Sequence, residues 1–335
     1  SIDIIKALRE IASEVDLVLI GTDPDVEGEK IGWDIANAIK TYTKEIKRIE
    51  FHEVTRRAIR RALENLREID ENRVNAQLIR RIEDRWLGFV LSRNVQRAFN
   101  NKALSAGRVQ TPVLGWIIER YREYRKSKIP VYRVKLSNGA IVEISGVKGK
   151  PKVIREILEK ARINIVKSEE KEEEISPPPP LTTDAMLKET SALLGFSATK
   201  TMKLAQELFE SGLITYHRTD STRVSLDGIN LAREYIEGRF GTEYFRGRTW
   251  ATGEEGAHEC IRPVRPVDAM ELRRLLREEE ILRARMITWD HIRLYDLIFR
   301  RFIASQMKPT KIKIQKVILK IADYDTEYEA TIEIV

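Results

Sequence analysis

The sequence predicts a mixed α/β protein of several domains, and three observations predict it. Over the first 51 residues, short apolar runs of strand type alternate with stretches of helical spacing. A long arginine-rich region of helical periodicity follows. Two separate stretches, after Pro130 and after residue 306, then carry the apolar–polar alternation expected of sheets. At 335 residues and 42% hydrophobic content, the chain can form two or three cores.

In chain order, Val15 to Gly21 (VDLVLIG) reads as a short buried strand. Glu27 to Ile39 has Ile31, Ile35 and Ile39 on one helical face, and Glu45 to Phe51 supplies the next strand. Strand–helix–strand order implies parallel pairing, so residues 1–51 form an α/β unit. Residues 52–129 are mainly helical. Ile59, Leu63 and Leu66 form one stripe and Leu78, Ile82, Trp86, Phe89 and Val90 another, both expected in the core.

Residues 130–176 turn to strands at Val131 to Leu136, Ala140 to Ile144 and Ile163 to Val166, with a helix near Val153 to Ala161. The acidic run Glu169 to Glu174 is followed by Pro177 to Pro180, whose four prolines fix an extended segment that is a linker or a domain entry. Residues 177–305 are helical again. Thr183 and Asp184 are cap-type residues, Gly195-Phe196-Ser197 separates two helices, and Gly212 stops the second. With a strand expected over Leu213 to Tyr216, this resembles a winged-helix-type DNA-binding unit. Residues 306–335 alternate again and predict a sheet.

Charge narrows the partners. The net charge is +7, and Arg56 to Arg108 holds 13 Lys and Arg against 6 Asp and Glu, enough to account for that surplus. A local basic excess is the footprint of a polyanion such as nucleic acid, although a solvated helix face gives the same composition. Charged residues reach 33%, above the roughly 25% of ordinary proteins, which suits thermophile surfaces rich in ion pairs. One cysteine, Cys260, excludes a disulfide framework and a cysteine-rich zinc site within this chain. No apolar run approaches the ~18 residues of a membrane span, and no signal pattern opens the chain, so a cytoplasmic location is expected. The start at Ser1 and the end within a strand pattern suggest a piece of something longer.

Four segments carry chemistry. Asp23-Pro24-Asp25-Val26-Glu27 lies between a strand end and a helix start, where open α/β sheets bind ligands. Two carboxylates ~5 Å apart at an effective dielectric near 20 repel by roughly 3 kcal/mol, which a divalent cation relieves; hard oxygen ligands select Mg²⁺. The bland reading is acidic charge favoured at a helix N-terminus. In Gly212 to Ser221 (GLITYHRTDS), Tyr216 and Arg218 are two apart and share a side of an extended chain. A guanidinium there steadies a phenolate and grips phosphate, whereas a tyrosine at a strand end is ordinarily packing. Glu255 to Pro263 offers His258 and Arg262 to a phosphate, and Leu104 to Pro112 presents Arg108 and Gln110 on a glycine turn before a helix. No Walker-type phosphate loop is present, since Gly146 to Lys150 has the wrong glycine spacing.

In this order, the four segments resemble the signature blocks of type IA DNA topoisomerases. The acidic block resembles the TOPRIM metal motif and the tyrosine block the active-site motif. Thr22 to Lys30, Phe51 to Thr55 and the His217 that follows the tyrosine are most similar to the topoisomerase half of reverse gyrase. The resemblance implies a TOPRIM-type α/β unit, helical and winged-helix-like domains and a strand-rich arch in a toroidal frame. It implies that Tyr216 is the nucleophile taking a 5′-phosphate, with Asp23 and Asp25 holding Mg²⁺ and Glu27 completing the acidic site and joining the acid–base work. Arg218 and His258 would support the scissile phosphate, and Arg108, Gln110, Thr219, Asp220 and Arg262 would contact single-stranded DNA. The motif's first glutamate precedes this chain. Positive supercoiling would need ATP and a helicase-like half of the same polypeptide.

Other readings remain open on the residues alone. They are an ordinary ATP-independent type IA topoisomerase, a TOPRIM nuclease or primase that needs no tyrosine, and a non-enzymatic DNA-binding protein.

Overall fold

The computed structural model describes residues 2–135, 141–145, 149–250, 259–278, 287–321 and 327–334. The chain divides into two compact units, Ser1–Ile82 with Pro177–Lys308, and Glu83–Ser176 with Pro309–Val335.

The first unit opens with α1 (Ile2–Ser13), β1 (Leu17–Ile20), α2 (Val26–Ile39) and β2 (Glu45–Arg48). β1 and β2 pair in parallel, Leu17 opposite Glu45 and Ile20 opposite Arg48, as the alternation predicts. Antiparallel strands can join through a tight turn, but parallel ones need a crossover, and α2 provides it. Its N-cap is Asp25, whose carboxylate accepts the Gly28 N–H, so the helix start fixes one of the acidic residues. Thr55 caps α3 (Arg56–Glu64) in the same way, and α4 (Glu71–Ala98) then runs across the division between units.

The rest of this unit is a helical cluster: α7 (Thr183–Leu194), α8 (Ala198–Glu210), α9 (Leu226–Arg239), α10 (Ala269–Arg277) and α11 (Trp289–Ser305). The cap of α7 is Thr182, one residue before the cap-type pair expected, and Gly195 ends that helix. Ser197 caps α8. α11 is the central member: Leu294, Tyr295, Ile298, Phe299 and Phe302 are buried along it. Against them lie Leu208 and Phe209 from α8, Ala232 and Ile236 from α9 and Leu272 from α10. The strand expected over Leu213 to Tyr216 does not form as a continuous element: Ile214 makes an isolated bridge to Pro263, and Thr215 and Leu213 bond to the same neighbouring segment.

The second unit contains the remainder of α4, α5 (Gln110–Lys126), β3 (Val131–Lys135), β4 (Ile141–Ser145), α6 (Pro151–Lys160), β5 (Ile163–Ile175), β6 (Thr310–Ile321) and β7 (Glu327–Ile334). β3 and β4 form a two-stranded antiparallel sheet, and β5, β6 and β7 a three-stranded one in that order. The acidic run is part of β5, while the prolines from Pro177 onward stand where the chain re-enters the first unit. Glu174 is in register with Lys311 and Glu172 with Lys313, and the run stays largely exposed along the strand, where Lys171 pairs with Glu173.

A second correction concerns the helical stripes expected in the core. Leu63, Leu66, Ile82, Trp86, Phe89 and Val90 are exposed, Trp86 to 68%. In α4 only Val74 and Gln77 are buried. Periodicity identifies an apolar face but not what lies against it.

Candidate active site

The acidic loop between β1 and α2 is held from beneath by one buried guanidinium. Arg48, at the end of β2, is fully buried and donates to the backbone carbonyls of Ile20, Thr22, Asp23 and Ile49. Its Nε lies 3.3 Å from Glu29 Oε2. Glu29, also fully buried, accepts from both Nη1 and Nη2 of Arg67 at 2.8 and 2.7 Å and from the Asp70 N–H at 2.8 Å. Burial by itself would raise the Glu29 pKa, but these hydrogen bonds and the two arginines outweigh it and bring the carboxyl down to about 2. Arg67 also bonds Glu50, so two cations and two carboxylates form a fixed base under the loop.

Gly28 admits the loop's tight course. A Cβ built there would come within 2.1 Å of the Asp23 carbonyl oxygen. With Thr22 Oγ1 donating to the Gly28 carbonyl at 2.6 Å, the loop closes directly on the first turn of α2.

Tyr216 reaches this loop from the helical part of the same unit. Its hydroxyl donates to Asp25 Oδ2 at 2.6 Å, across 191 residues of sequence, while Asp25 Oδ1 accepts from the Gly28 N–H. Three constraints hold the tyrosine there. Gly212 ends α8 at φ +68°, and a Cβ on it would lie 2.5 Å from the Val54 carbonyl, so chain reversal and close approach both require glycine. Thr215 exchanges hydrogen bonds with the Cys260–Arg262 segment through its N–H and Oγ1. The Tyr216 N–H donates to the His52 carbonyl at 2.8 Å.

The tyrosine side chain is only 2% exposed. Burial first, then the hydrogen bond to Asp25 and the charges of Asp25 and Asp23, push its pKa well above that of a free phenol, while Arg218 opposes them. Asp23 is raised above the ordinary carboxylate value by burial and by Asp25, again opposed by Arg218. Phenol, two carboxylates and the exposed guanidinium of Arg218 thus form one electrostatic group.

The other expected residues are placed differently. Glu27, on the first turn of α2, is half-exposed with an oxygen 3.6 Å from Arg81. Among the described residues no three His, Cys, Asp or Glu side chains gather closely enough to hold a metal ion. Asp23 and Asp25 do form a mutually repelling pair of hard oxygen donors, the chemistry a Mg²⁺ would require, with Asp25 already accepting from Gly28 and Tyr216.

Arg262 is 3% exposed rather than open to a phosphate. It donates from Nε and Nη2 to Glu259 at 2.6 and 2.9 Å, from Nη1 to the Pro263 carbonyl and from Nη2 to Glu53 at 3.3 Å. Thr219 is buried and joins its backbone to Thr183, whereas Asp220 is exposed. In the second unit Arg108 bonds Asp84 of α4 through Nε and Nη2, and Gln110 donates to Ser105 Oγ. His258 lies outside the described residues. Arg48, Glu29 and Arg67 were missed from the sequence, where nothing distinguishes a buried charge from a surface one.

The phenol of Tyr216 seated on the acidic loop of a βαβ unit is the juxtaposition that the sequence resemblance implies. The chain belongs to the type IA DNA topoisomerase family: residues 68–334 match the family described as DNA topoisomerase, and residues 1–54 match the Toprim domain. Its topoisomerase region is shared with reverse gyrases. It is 53% identical over 331 residues to the reverse gyrase of Pyrococcus furiosus, covering 99% of this chain and 26% of that protein. It is 52% identical over 333 residues to reverse gyrase 1 of Aquifex aeolicus, covering 99% and 29%. The chain thus spans little more than a quarter of the length of these relatives. The crystal structure of full-length topoisomerase I from Thermotoga maritima matches with a TM-score of 0.74 at 34% identity, over 99% of this chain and 55% of that one.

Among the described residues, no helix is long and apolar enough to cross a membrane.

Proposed function

We propose that the chain breaks and rejoins one DNA strand through a phosphotyrosyl intermediate, as the topoisomerase part of a reverse gyrase. The observation that carries this is the 2.6 Å hydrogen bond from the Tyr216 hydroxyl to Asp25. When single-stranded DNA enters, Tyr216 Oη bonds to phosphorus as the bond from phosphorus to the 3′ oxygen breaks. Once Tyr216 has turned from Asp25 toward the strand, the phenol proton passes to the acidic site, and the 3′ oxygen leaves as a hydroxyl with a proton from that site, a role assigned to Glu27.

Arg218 and His258 support the scissile phosphate. Mg²⁺ held by Asp23 and Asp25 would offset charge between those carboxylates and the phosphodiester. Because one phosphate ester replaces another, the break is reversible without ATP. The 3′ hydroxyl reseals it at high effective concentration after a second strand has passed.

Arg108, Gln110, Thr219 and Asp220 are assigned to the strand-binding groove. The proposed frame is a toroid built from residues 1–51 (TOPRIM), 52–129 (basic helical), 130–176 and 306–335 (arch) and 177–305 (tyrosine-bearing). Its partners are DNA and an ATP-driven helicase-like half of the longer polypeptide, and its location is cytoplasmic. Identities of 53% and 52% to reverse gyrases favour this reading over an ordinary topoisomerase.

The test is plasmid relaxation with Mg²⁺ at high temperature, quenched with detergent, in a longer polypeptide with its TOPRIM start. Relaxation and protein-linked DNA are expected, and Tyr216→Phe should remove both. Cleavage without linked protein would indicate a nuclease instead, and unchanged supercoils a binding protein.

A further inference from the structure

Tyr216 is not accessible to DNA in the conformation described: its side chain is buried and its hydroxyl is taken by Asp25. Reaction therefore requires the segment carrying it to lift. Its restraints are the Tyr216 N–H bond to His52, the Thr215 bonds to the Cys260–Arg262 segment, and the Thr183 Oγ1 bond to the His217 carbonyl at 2.8 Å.

The side chain of His217 is the exception within that segment. It is fully buried beside Tyr216, ring centroids 5.6 Å apart, and neither Nδ1 nor Nε2 has a hydrogen-bond partner among the described residues. An imidazole carries polar atoms on both edges in either tautomer, and leaving them unmet in the interior forfeits the bonds that water would supply. Burial, assisted by the charge of Arg218, brings its pKa down to about 4, so the ring is neutral near pH 7. A buried polar group without partners calls for an explanation, and an apolar side chain would fill this place with no such cost. The cost exists only while the segment is seated, since lifting admits water to both nitrogens.

We propose that His217 is a positioning residue whose unsatisfied ring loosens the seat of Tyr216, so that the nucleophile leaves Asp25 readily when DNA arrives. This rests on the reading of Tyr216 as nucleophile.

The experiment compares His217→Met, which keeps bulk without the polar edges, with His217→Asn, which keeps a polar group. Amide hydrogen exchange is followed in the 335-residue chain, with rates corrected for intrinsic sequence effects. In His217→Met the Tyr216 amide should exchange about tenfold more slowly relative to the α11 amides of Leu294 and Phe302, and in His217→Asn it should not. In the longer polypeptide, His217→Met should slow formation of the DNA-linked species about tenfold at unchanged KM for an oligonucleotide, with His217→Asn restoring it. Equal slowing at every amide would reduce the residue to packing and overturn the proposal. Faster exchange at Tyr216, or slowing in both variants, would overturn it as well. Failure of the nucleophile reading appears separately, as DNA-linked protein persisting in Tyr216→Phe.

Discussion

Gly28 and Asp23 are in such close contact that a methyl group on the first would lie 2.1 Å from the carbonyl oxygen of the second. The acidic loop can therefore keep its course only while residue 28 has no side chain. Gly28→Ala must push the Asp23 backbone away from α2. Overpacking of this kind costs about 1–3 kcal/mol, so the protein should still fold. The displaced carboxylate is the sharper consequence: DNA-linked protein should fall at least about tenfold, and added Mg²⁺ should not restore it. Retention of full cleavage by the alanine variant would show that Asp23 need not stay where it is.

Arg48 leads to a stability prediction in place of a catalytic one. Its guanidinium serves four carbonyls and, buried itself, shares the buried Glu29 with the partly exposed Arg67. Removing one member of a buried ion group leaves the other charge uncompensated, at roughly 3–5 kcal/mol. Arg48→Met should lower the urea midpoint by a corresponding amount. Arg48→Met with Glu29→Gln should cost less than the sum of the single changes, which a double-mutant cycle reads directly.

Glu29 also gives the protein a defined acid sensitivity. Its carboxyl titrates at about 2 in the folded chain against 4.5 when free, so the native state binds its proton less readily than the unfolded state. Stability from this group is complete above about pH 4.5 and is lost as the pH falls toward 2. The shift corresponds to about 3 kcal/mol. Urea unfolding followed from pH 6 to pH 2 should show that loss, and Glu29→Gln should flatten the slope. An unchanged slope in the glutamine variant would assign the acid sensitivity to other carboxylates.

These predictions separate what the sequence displayed from what it concealed. The order of β1, α2 and β2, and the acidic turn between them, were legible because strand, helix and cap signals are local. The contact of Tyr216 with Asp25 was suggested only by resemblance, since no local pattern joins residues 191 apart. Glu169 to Glu174 misled for a physical reason: an acidic run reads as solvated chain, and an exposed strand is solvated as well, so charge alone does not tell the two apart. Arg262 misled as well, because Glu53 and Glu259 reach it from separate segments and enclose a cation that looked free.

Arg262 and Arg218 make the last prediction, because their surroundings assign them opposite behaviour. Arg262 is enclosed by two carboxylates, with its Nε and both Nη atoms engaged, so no part of it is presented to DNA. Arg262→Met should destabilise the fold by roughly 3–5 kcal/mol and leave the salt dependence of oligonucleotide binding unchanged. Arg218 is exposed, and its charge acts on Tyr216 and Asp23. Arg218→Ala should leave the melting temperature within a degree or two, as surface changes usually do, yet slow DNA-linked adduct formation by about 10²-fold or more. It should also reduce the slope of log affinity against log salt by about 0.7, the loss of one phosphate contact on a single strand. Thermal melts and salt titrations on the two variants decide the matter. If Arg262→Met altered the salt slope while Arg218→Ala did not, the enclosed guanidinium would have to open toward DNA, and the two assignments would be exchanged.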